Sequence, residues 1–178
     1  MKPQSRQDSS RRRSASSRNG SEAAPRDPAG LLTSYQQTLA GLFDEFSAAA
    51  SHADRRAIAG RICRLVSAQC DVEEEFLYPG AARRGGRPHD RVRAAQLEGA
   101  FVRKVVEQIR ALDRDKGPDD RRFAATVGIL RDYLDDYLEQ QRTDVLPRLR
   151  LGSETTQLCQ AMLHRRAEIL ASSPGAGS

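Results

Sequence analysis

Four long stretches of this chain place apolar residues at steps of three and four, which is the spacing of one face of an α-helix. Segments rich in proline, glycine and charged residues separate these stretches, and none of the stretches alternates apolar with polar residues as a strand would. Aromatic residues make up 5% of the chain and tryptophan is absent, which favours an aliphatic core between helices. The pattern predicts an all-α protein, and 178 residues suffice for one domain with a single core.

Capping and helix-breaking residues predict the bounds of the first two helices. Asp27 suits the N-cap of the first helix and Pro28 its first position, where the missing N–H of proline costs nothing. A second helix is expected to begin within 51–54 and to stop at Pro79-Gly80, and a loop is expected over 81–88.

Two further long helices and a shorter fifth complete the predicted arrangement. The charged segment 113–118 is expected to end the third helix, and Asp119 or Asp120 caps a fourth helix that stops near Pro147. Ser153 suits the N-cap of the fifth helix, which is expected to pack across an outer groove or to mediate association. Four helices of about 20–28 residues with short connections favour an antiparallel up-down-up-down bundle.

The expected domain organisation is a tail at 1–27, a bundle at 28–150, a C-terminal helix at 151–171 and a tail at 172–178. Both tails are predicted to be disordered, because they have too few large apolar side chains to offset the entropy of ordering. Residues 1–20 contain six lysines or arginines and one acidic residue, which equals the net charge of +5 of the whole chain. The folded body is therefore expected to be close to neutral.

The three cysteines do not indicate a disulfide framework, because their number is odd. Cys63 and Cys70 stand seven residues apart on one predicted helix. Their Cα atoms are then about 10.5 Å apart, which exceeds the roughly 7 Å limit for a disulfide. No run approaches the roughly 18 apolar residues of a membrane span. No apolar segment follows Arg11-Arg12-Arg13, so no export signal is expected and the cytoplasm is the predicted location.

The acidic run Glu73-Glu74-Glu75 followed by Tyr78-Pro79 resembles the second-helix signature of the hemerythrin-like HHE domains. In that family a histidine stands four residues before a glutamate of such a run, and the two side chains ligate a di-iron centre. Gln69 stands at the position of the histidine in this chain, whereas Glu73 retains the carboxylate. The resemblance extends over roughly residues 30–150 and implies a hemerythrin-like four-helix bundle.

The resemblance also implies where the other metal ligands of that family would fall. Distances from apolar pairs and from the proline that ends the fourth helix give Gln36, Gly99 and Tyr137 as histidine positions, and Gln141 or Arg142 as an acidic position. An amide is a poor iron ligand, and Gly99 has no side chain that could ligate a metal. The histidines of the chain are elsewhere, at His52, His89 and His164, outside the inward face of the predicted bundle. Neither a metal nor a cofactor is therefore expected, although a residual metal at Glu73 stays open.

Side chains are expected to fill the interior instead. Tyr137 is large enough to occupy the space that Gly99 leaves on the facing helix. A buried carboxylate without a partner is costly, so Glu73 is expected either to be protonated or to have partners. The candidate partners are Gln36, Gln69 and Tyr137 as hydrogen-bond donors, and Arg103 or Arg142 as cations.

The sequence contains no nucleophile–base pair and no phosphate-binding glycine loop, so no enzymatic activity is predicted. The expected function is that of a metal-free module that binds an unknown protein or small molecule, and a homodimer is compatible with it. The alternative is a hemerythrin-like di-iron protein that binds or senses oxygen, nitric oxide or iron. Specific nucleic-acid binding by the arginine cluster is not expected, because no aromatic or folded basic face accompanies it.

Overall fold

The computed structural model describes residues 27–82, 89–115, 120–149 and 153–172, and all regular structure in these ranges is helical. The α-helices are α1 (Pro28–Ala48), α2 (His52–Val72), α3 (Tyr78–Ala82), α4 (His89–Asp115), α5 (Asp120–Gln140) and α6 (Ser153–Ser172). A first π-helical turn (Glu73–Leu77) continues α2, a second (Gln141–Val145) continues α5, and a 3₁₀ turn follows at Leu146–Arg148. The all-α prediction is confirmed. The predicted tails lie outside the described residues, apart from Asp27 and Ser172.

Side-chain caps fix the starts of α1 and α2. The carboxylate of Asp27 accepts a hydrogen bond from the backbone N–H of Gly30 at 2.8 Å, and Pro28 is the first residue of α1. The hydroxyl of Ser51 accepts a hydrogen bond from the backbone N–H of Asp54 at 3.0 Å. These caps satisfy N–H groups that no helical carbonyl reaches, and both helix starts are as predicted.

Helices α1, α2, α4 and α5 surround one largely aliphatic core, in which α1 packs beside α2 and α5, and α4 packs beside the same two helices. Along each pair of neighbouring helices, the residue numbers of the contacts increase on one helix as they decrease on the other, so these neighbours are antiparallel. We refer to α5 and the second π-helical turn together as the α5 arm. The contacts are Phe46–Phe123 and Gln36–Arg142 between α1 and the α5 arm, Arg56–Asp113 and Asp71–Arg103 between α2 and α4, and Phe101–Tyr133 and Arg91–Asp144 between α4 and the α5 arm.

Helix α6 packs against α1, α2 and the first π-helical turn. It has 20 residues, against 21 in α5, so it is shorter than α5 by only a small margin. Cys159 and Met162 are buried on its inner side, and Met162 belongs to a second apolar cluster with residues of the bundle. Of the two predicted roles, the structure therefore shows packing on the outside of the bundle.

The second helix does not stop at Pro79-Gly80, contrary to the prediction. The chain runs from α2 through the first π-helical turn into α3, and the backbone N–H of Tyr78 bonds to the carbonyl of Glu73, five residues back. This wider turn displaces the backbone from the α-helical register, in which a proline ring collides with the carbonyl four residues back. Ala81 and Ala82, predicted as loop, are therefore helical, and the rest of that loop lies outside the described residues.

Three smaller features complete the fold. Helix α4 extends to Asp115, into the charged segment that was predicted to end it. The three cysteines are buried free thiols, as their number and spacing predict. Among the described ranges, no helix combines the length and the apolar character that a bilayer crossing requires.

Candidate functional site

Five of the mapped positions meet inside the bundle. Glu73 and Gln141 are the first residues of the two π-helical turns, and both side chains are 0% exposed. Gln69 lies one helical turn before Glu73 on α2, Gly99 lies in the middle of α4, and Tyr137 lies one turn before Gln141 on α5. We refer to Gln69, Glu73, Tyr78, Tyr137 and Gln141 as the polar cluster.

Both carboxylate oxygens of Glu73 accept hydrogen bonds from other members of the polar cluster. The side-chain amide of Gln69 donates to Oε1 at 2.9 Å, and the hydroxyl of Tyr137 donates to Oε2. The remaining oxygen of Gln69 accepts a hydrogen bond from Nη1 of Arg166 on α6 at 3.3 Å. The carboxyl group is thus partnered by neutral donors, as one of the predicted arrangements requires.

Tyr78 connects the carboxyl group to the second π-helical turn. Its hydroxyl oxygen lies 2.7 Å from the hydroxyl oxygen of Tyr137, and Nε2 of Gln141 donates to it at 2.8 Å. The hydroxyl of Tyr78 also lies within donating distance of the backbone carbonyl of Ala95, at 3.3 Å. The Oε1 atom of Gln141 is buried and has no hydrogen-bond partner among the described residues.

The two hydroxyl groups can order their protons in two ways. When Glu73 is ionised, Tyr137 donates to it and Tyr78 donates to Tyr137. When Glu73 is protonated, it can donate to Tyr137, Tyr137 to Tyr78, and Tyr78 to the carbonyl of Ala95. The polar cluster therefore has a complete set of donors and acceptors around Glu73 in either charge state.

Tyr137 lies where Gly99 has no side chain, as predicted. A Cβ atom built on Gly99 would lie 3.3 Å from the hydroxyl oxygen of Tyr137 and 3.6 Å from that of Tyr78. The first distance is tighter than most Cβ contacts, whereas the second is an ordinary van der Waals contact. The absence of a side chain at position 99 thus allows the two phenols to approach each other.

Burial raises the pKa of Glu73 to about 7. The hydrogen bonds from Tyr137 and Gln69 and the charge of Arg103 lower this pKa, but the loss of hydration outweighs them. Burial, followed by the charge of Glu73, also raises the pKa of the phenols of Tyr137 and Tyr78. The two tyrosines are therefore neutral hydrogen-bonding groups at physiological pH, whereas Glu73 is close to its titration midpoint.

Gln36 does not join the polar cluster, contrary to the prediction. Its side chain is half-buried at the edge of the bundle, and its oxygen accepts a hydrogen bond from Arg142. The inward position on α1 is the preceding residue, Tyr35, which shares the buried face with Leu31 and Leu39 at steps of four. One residue of an α-helix turns the side chain by about 100°, which directs position 36 towards the edge.

The two arginines predicted as partners of Glu73 also lie elsewhere. Arg142 is exposed and pairs with Glu139 at 3.1 Å in addition to Gln36, so Gln141 is the residue of that pair that reaches the interior. Arg103 forms ion pairs with Asp71 and with Glu74, the latter at 3.1 Å. The acidic residues that flank Glu73 on the surface therefore engage this cation, and Glu73 has hydrogen bonds instead of an ion pair.

Two participants, Tyr78 and Arg166, were not found from the sequence as site residues. Tyr78 follows Glu73 by five residues, a spacing that faces away in an α-helix but is the hydrogen-bonding repeat of a π-helix. Counting at steps of three and four therefore does not place Tyr78 on the same face as Glu73. Arg166 lies on α6, and the sequence contains no signal for which helix α6 covers.

The side chains of the polar cluster do not fit a di-iron centre. Such centres take several imidazoles and carboxylates from facing helices, whereas Glu73 is the only acidic residue of the cluster and both of its oxygens already accept hydrogen bonds. In the described part of the chain, no three histidine, cysteine, aspartate or glutamate side chains gather as a possible metal site. His52 and His89 begin α2 and α4, and His164 lies on α6.

Tyr78 also lines a cavity of about 370 Å³ at the surface of the bundle. The cavity combines apolar walls with one guanidinium and one amide, and its other lining residues are Pro79, Ala82, Val92, Arg93 and Gln96. Its volume is within the range of small-molecule sites. A ligand there would meet the edge of the polar cluster, whose interior is occupied by side chains.

The described residues thus define an all-α protein whose helical bundle encloses a hydrogen-bonded cluster around one carboxyl group. Comparison of the chain with models of protein families, with curated proteins and with solved structures gives no match. The geometry of the polar cluster and of the outer surface is therefore the basis for a functional proposal.

Proposed function

We propose that this chain is a metal-free relative of the hemerythrin-like HHE domains and acts as a non-enzymatic module that binds another molecule. The packing of α1, α2, α4 and α5 around one core is compatible with the bundle that the resemblance implies, and α6 packs on the outside of these helices. The interior is closed by side chains, so binding is assigned to the outer surface of the bundle. The proposed location is the cytoplasm.

The observation that carries this proposal is the occupation of both Glu73 oxygens. Gln69 and Tyr137, which stand at two positions where the resemblance implies histidine ligands, both donate to this carboxyl group. A metal at Glu73 would have to displace these two hydrogen bonds inside a site that is 0% exposed. The same residues that remove the ligands thus satisfy the one carboxylate that remains, which supports a stable metal-free interior.

The metal content of the purified protein tests the proposal directly. The full chain is produced under iron-replete conditions, and iron is quantified by mass spectrometry together with the near-ultraviolet absorption spectrum. We expect less than a tenth of an iron atom per chain, no oxo-bridge band, and the same thermal midpoint with and without chelator. Two iron atoms per chain with such a band would contradict the proposal.

Restoring the ligands tests the correspondence with the HHE domains. A variant with Gln69→His, Gly99→His, Tyr137→His and Gln141→Glu is combined either with Tyr35→His or with Gln36→His. We expect iron binding with the histidine at position 35, which is buried, and at least tenfold weaker binding with the histidine at position 36, which lies at the edge. Equal failure of two folded variants would contradict the proposed relationship.

A further inference from the structure

Large apolar side chains are exposed on one face of the bundle. Among the described residues, the exposed ones are Leu97 at 66% and Phe101 at 40% on α4, and Ile129 at 48% and Tyr133 at 38% on α5. The rings of Phe101 and Tyr133 pack together with their centroids 4.4 Å apart. We call these four residues the α4–α5 patch. Clustered apolar residues on an otherwise polar surface indicate a binding surface.

The α4–α5 patch lies on the side of the bundle opposite α6. Helix α6 packs on α1 and α2, whereas α4 and α5 form the other side of the four-helix arrangement. The added helix therefore covers one outer face and leaves the apolar face of α4 and α5 exposed. The α4–α5 face is therefore the side of the bundle that stays open to a partner.

Charged residues of both signs border the patch, and on α4 the exposed Glu98 lies one turn before Phe101. Lys104 lies one turn after Phe101 on α4, whereas Asp132 and Asp136 flank Tyr133 on α5, and all three are exposed. Because α4 and α5 are antiparallel and Phe101 lies against Tyr133, Lys104 and Asp132 are at similar heights along the bundle. A two-fold axis parallel to the helices would bring Lys104 of one copy towards Asp132 of the other.

The size of this face also suits self-association. Two adjacent helices of about 20 residues present a face about 30 Å long and about 20 Å wide. The resulting area of about 600 Å² approaches the roughly 800 Å² that each partner buries in a standard interface. A strongly basic or acidic partner is not favoured, because the patch has both charge signs at its borders.

We propose that the α4–α5 patch binds the same patch of a second copy, so that the chain forms a two-fold homodimer. In this dimer α4 of one protomer packs on α5 of the other, with Phe101 and Tyr133 near the axis and Lys104–Asp132 pairs on both sides. The inference rests on the proposed function in that it names the partner of the binding module. It does not depend on the metal content of the interior.

Sedimentation velocity and light scattering of the full chain over a range of concentrations test the dimer. We expect a species of twice the chain mass of 19.7 kDa. Leu97→Lys and Ile129→Lys place charge at exposed positions of the patch, and each should weaken self-association at least tenfold. Ala40→Lys adds the same charge on the exposed side of α1 and should leave the dimer unchanged.

Exchange of the charge pair tests the orientation. Lys104→Asp and Asp132→Lys should each weaken the dimer several-fold, and the double variant should recover wild-type association. A wild-type chain that is monomeric at all concentrations, or a dimer that neither patch lysine weakens, would overturn the inference. An iron-free monomer would refute the dimer alone, whereas an iron-containing dimer would refute the proposed function alone.

Discussion

At the scale of single residues, the carboxyl group of Glu73 is held inside the bundle by hydrogen bonds from Gln69 and Tyr137 rather than by a cation. Hydrogen bonds from neutral groups stabilise a buried charge less than an adjacent opposite charge does. The consequence is a raised pKa, so the folded protein binds a proton at Glu73 more tightly than the unfolded chain does.

The pH dependence of stability should report this preference. The pKa of Glu73 rises from 4.5 to about 7 on folding, so its contribution is greatest below pH 4.5 and is lost as the pH rises towards 7. The shift corresponds to a free energy of unfolding on the order of 3 kcal/mol. Glu73→Gln removes this titration. Urea unfolding of both proteins from pH 4.5 to 8 should therefore show that the free energy of unfolding of the wild type, minus that of the variant, decreases as the pH rises. A difference that does not change with pH would contradict the raised pKa of Glu73.

The contact between Gly99 and Tyr137 predicts opposite outcomes for two glycine-to-alanine changes. Gly99→Ala places a Cβ 3.3 Å from a hydroxyl oxygen that Glu73 and Tyr78 hold in place, and we expect a loss of about 1 kcal/mol despite the better helix propensity of alanine. Gly41→Ala on α1 meets open space and should gain about 0.5–1 kcal/mol. Chemical unfolding of both variants measures these changes. A gain in the free energy of unfolding of both variants would show that the Tyr137 side chain moves away from position 99 without a cost.

The composition of the polar cluster was predictable only as far as the resemblance implied positions. The resemblance implied Gln69, Glu73, Tyr137 and either Gln141 or Arg142, and the structure brings the side chains of Gln69, Glu73, Tyr137 and Gln141 together beside Gly99. The prediction for α1 was wrong by one residue, since the inward side chain is Tyr35 and not Gln36. Counting from an apolar pair determines the buried face of a helix only to within one residue. Tyr78 was missed because the π-helical turn changes the spacing after Glu73.

At the scale of elements, the two π-helical turns begin at Glu73 and Gln141. Each turn inserts part of an extra residue into a helix, and such turns are frequent at functional sites. The apolar repeat identified the long helices and their order, because the repeat depends on which face is buried. The continuation through Pro79 could not be predicted, because a proline normally ends a helix unless the hydrogen-bonding register changes before it.

Helix α6 should contribute to stability through its inner side. Met162 is 3% exposed within the second apolar cluster, whereas the side chain of His164 on the same helix is 78% exposed. Met162→Ala should lower the free energy of unfolding by about 2–4 kcal/mol, and His164→Ala should change it by less than about 0.5 kcal/mol. Equal and small effects in thermal and urea unfolding would mean that α6 does not pack on the bundle in solution.

At the scale of the whole molecule, the net positive charge and the described helices belong to different parts of the chain. Residues 1–20 account for the net charge of +5, so the remaining chain is neutral overall. Long-range attraction of polyanions therefore belongs to the N-terminal segment and not to the helices.

Removal of residues 1–26 should abolish retention on heparin. The full chain, with a sequence pI near 9.5, should bind the column at low ionic strength and elute as salt screens the contacts. The shortened chain should appear in the flow-through, and a variant with Arg11, Arg12 and Arg13 changed to serine should elute at intermediate salt. Retention of the shortened chain at the same salt would assign the basic surface to the bundle.

The contact between position 99 and Tyr137 also constrains the order in which the interior can change. Because the tyrosine hydroxyl fills the volume next to Gly99, any residue larger than alanine at 99 requires a smaller one at 137 beforehand. If the larger residue at 99 comes first, it clashes with Tyr137. If the smaller residue at 137 comes first, it leaves a cavity beside Glu73. Single-step substitution in either direction is thus disfavoured, and the pair is expected to persist or to be exchanged together.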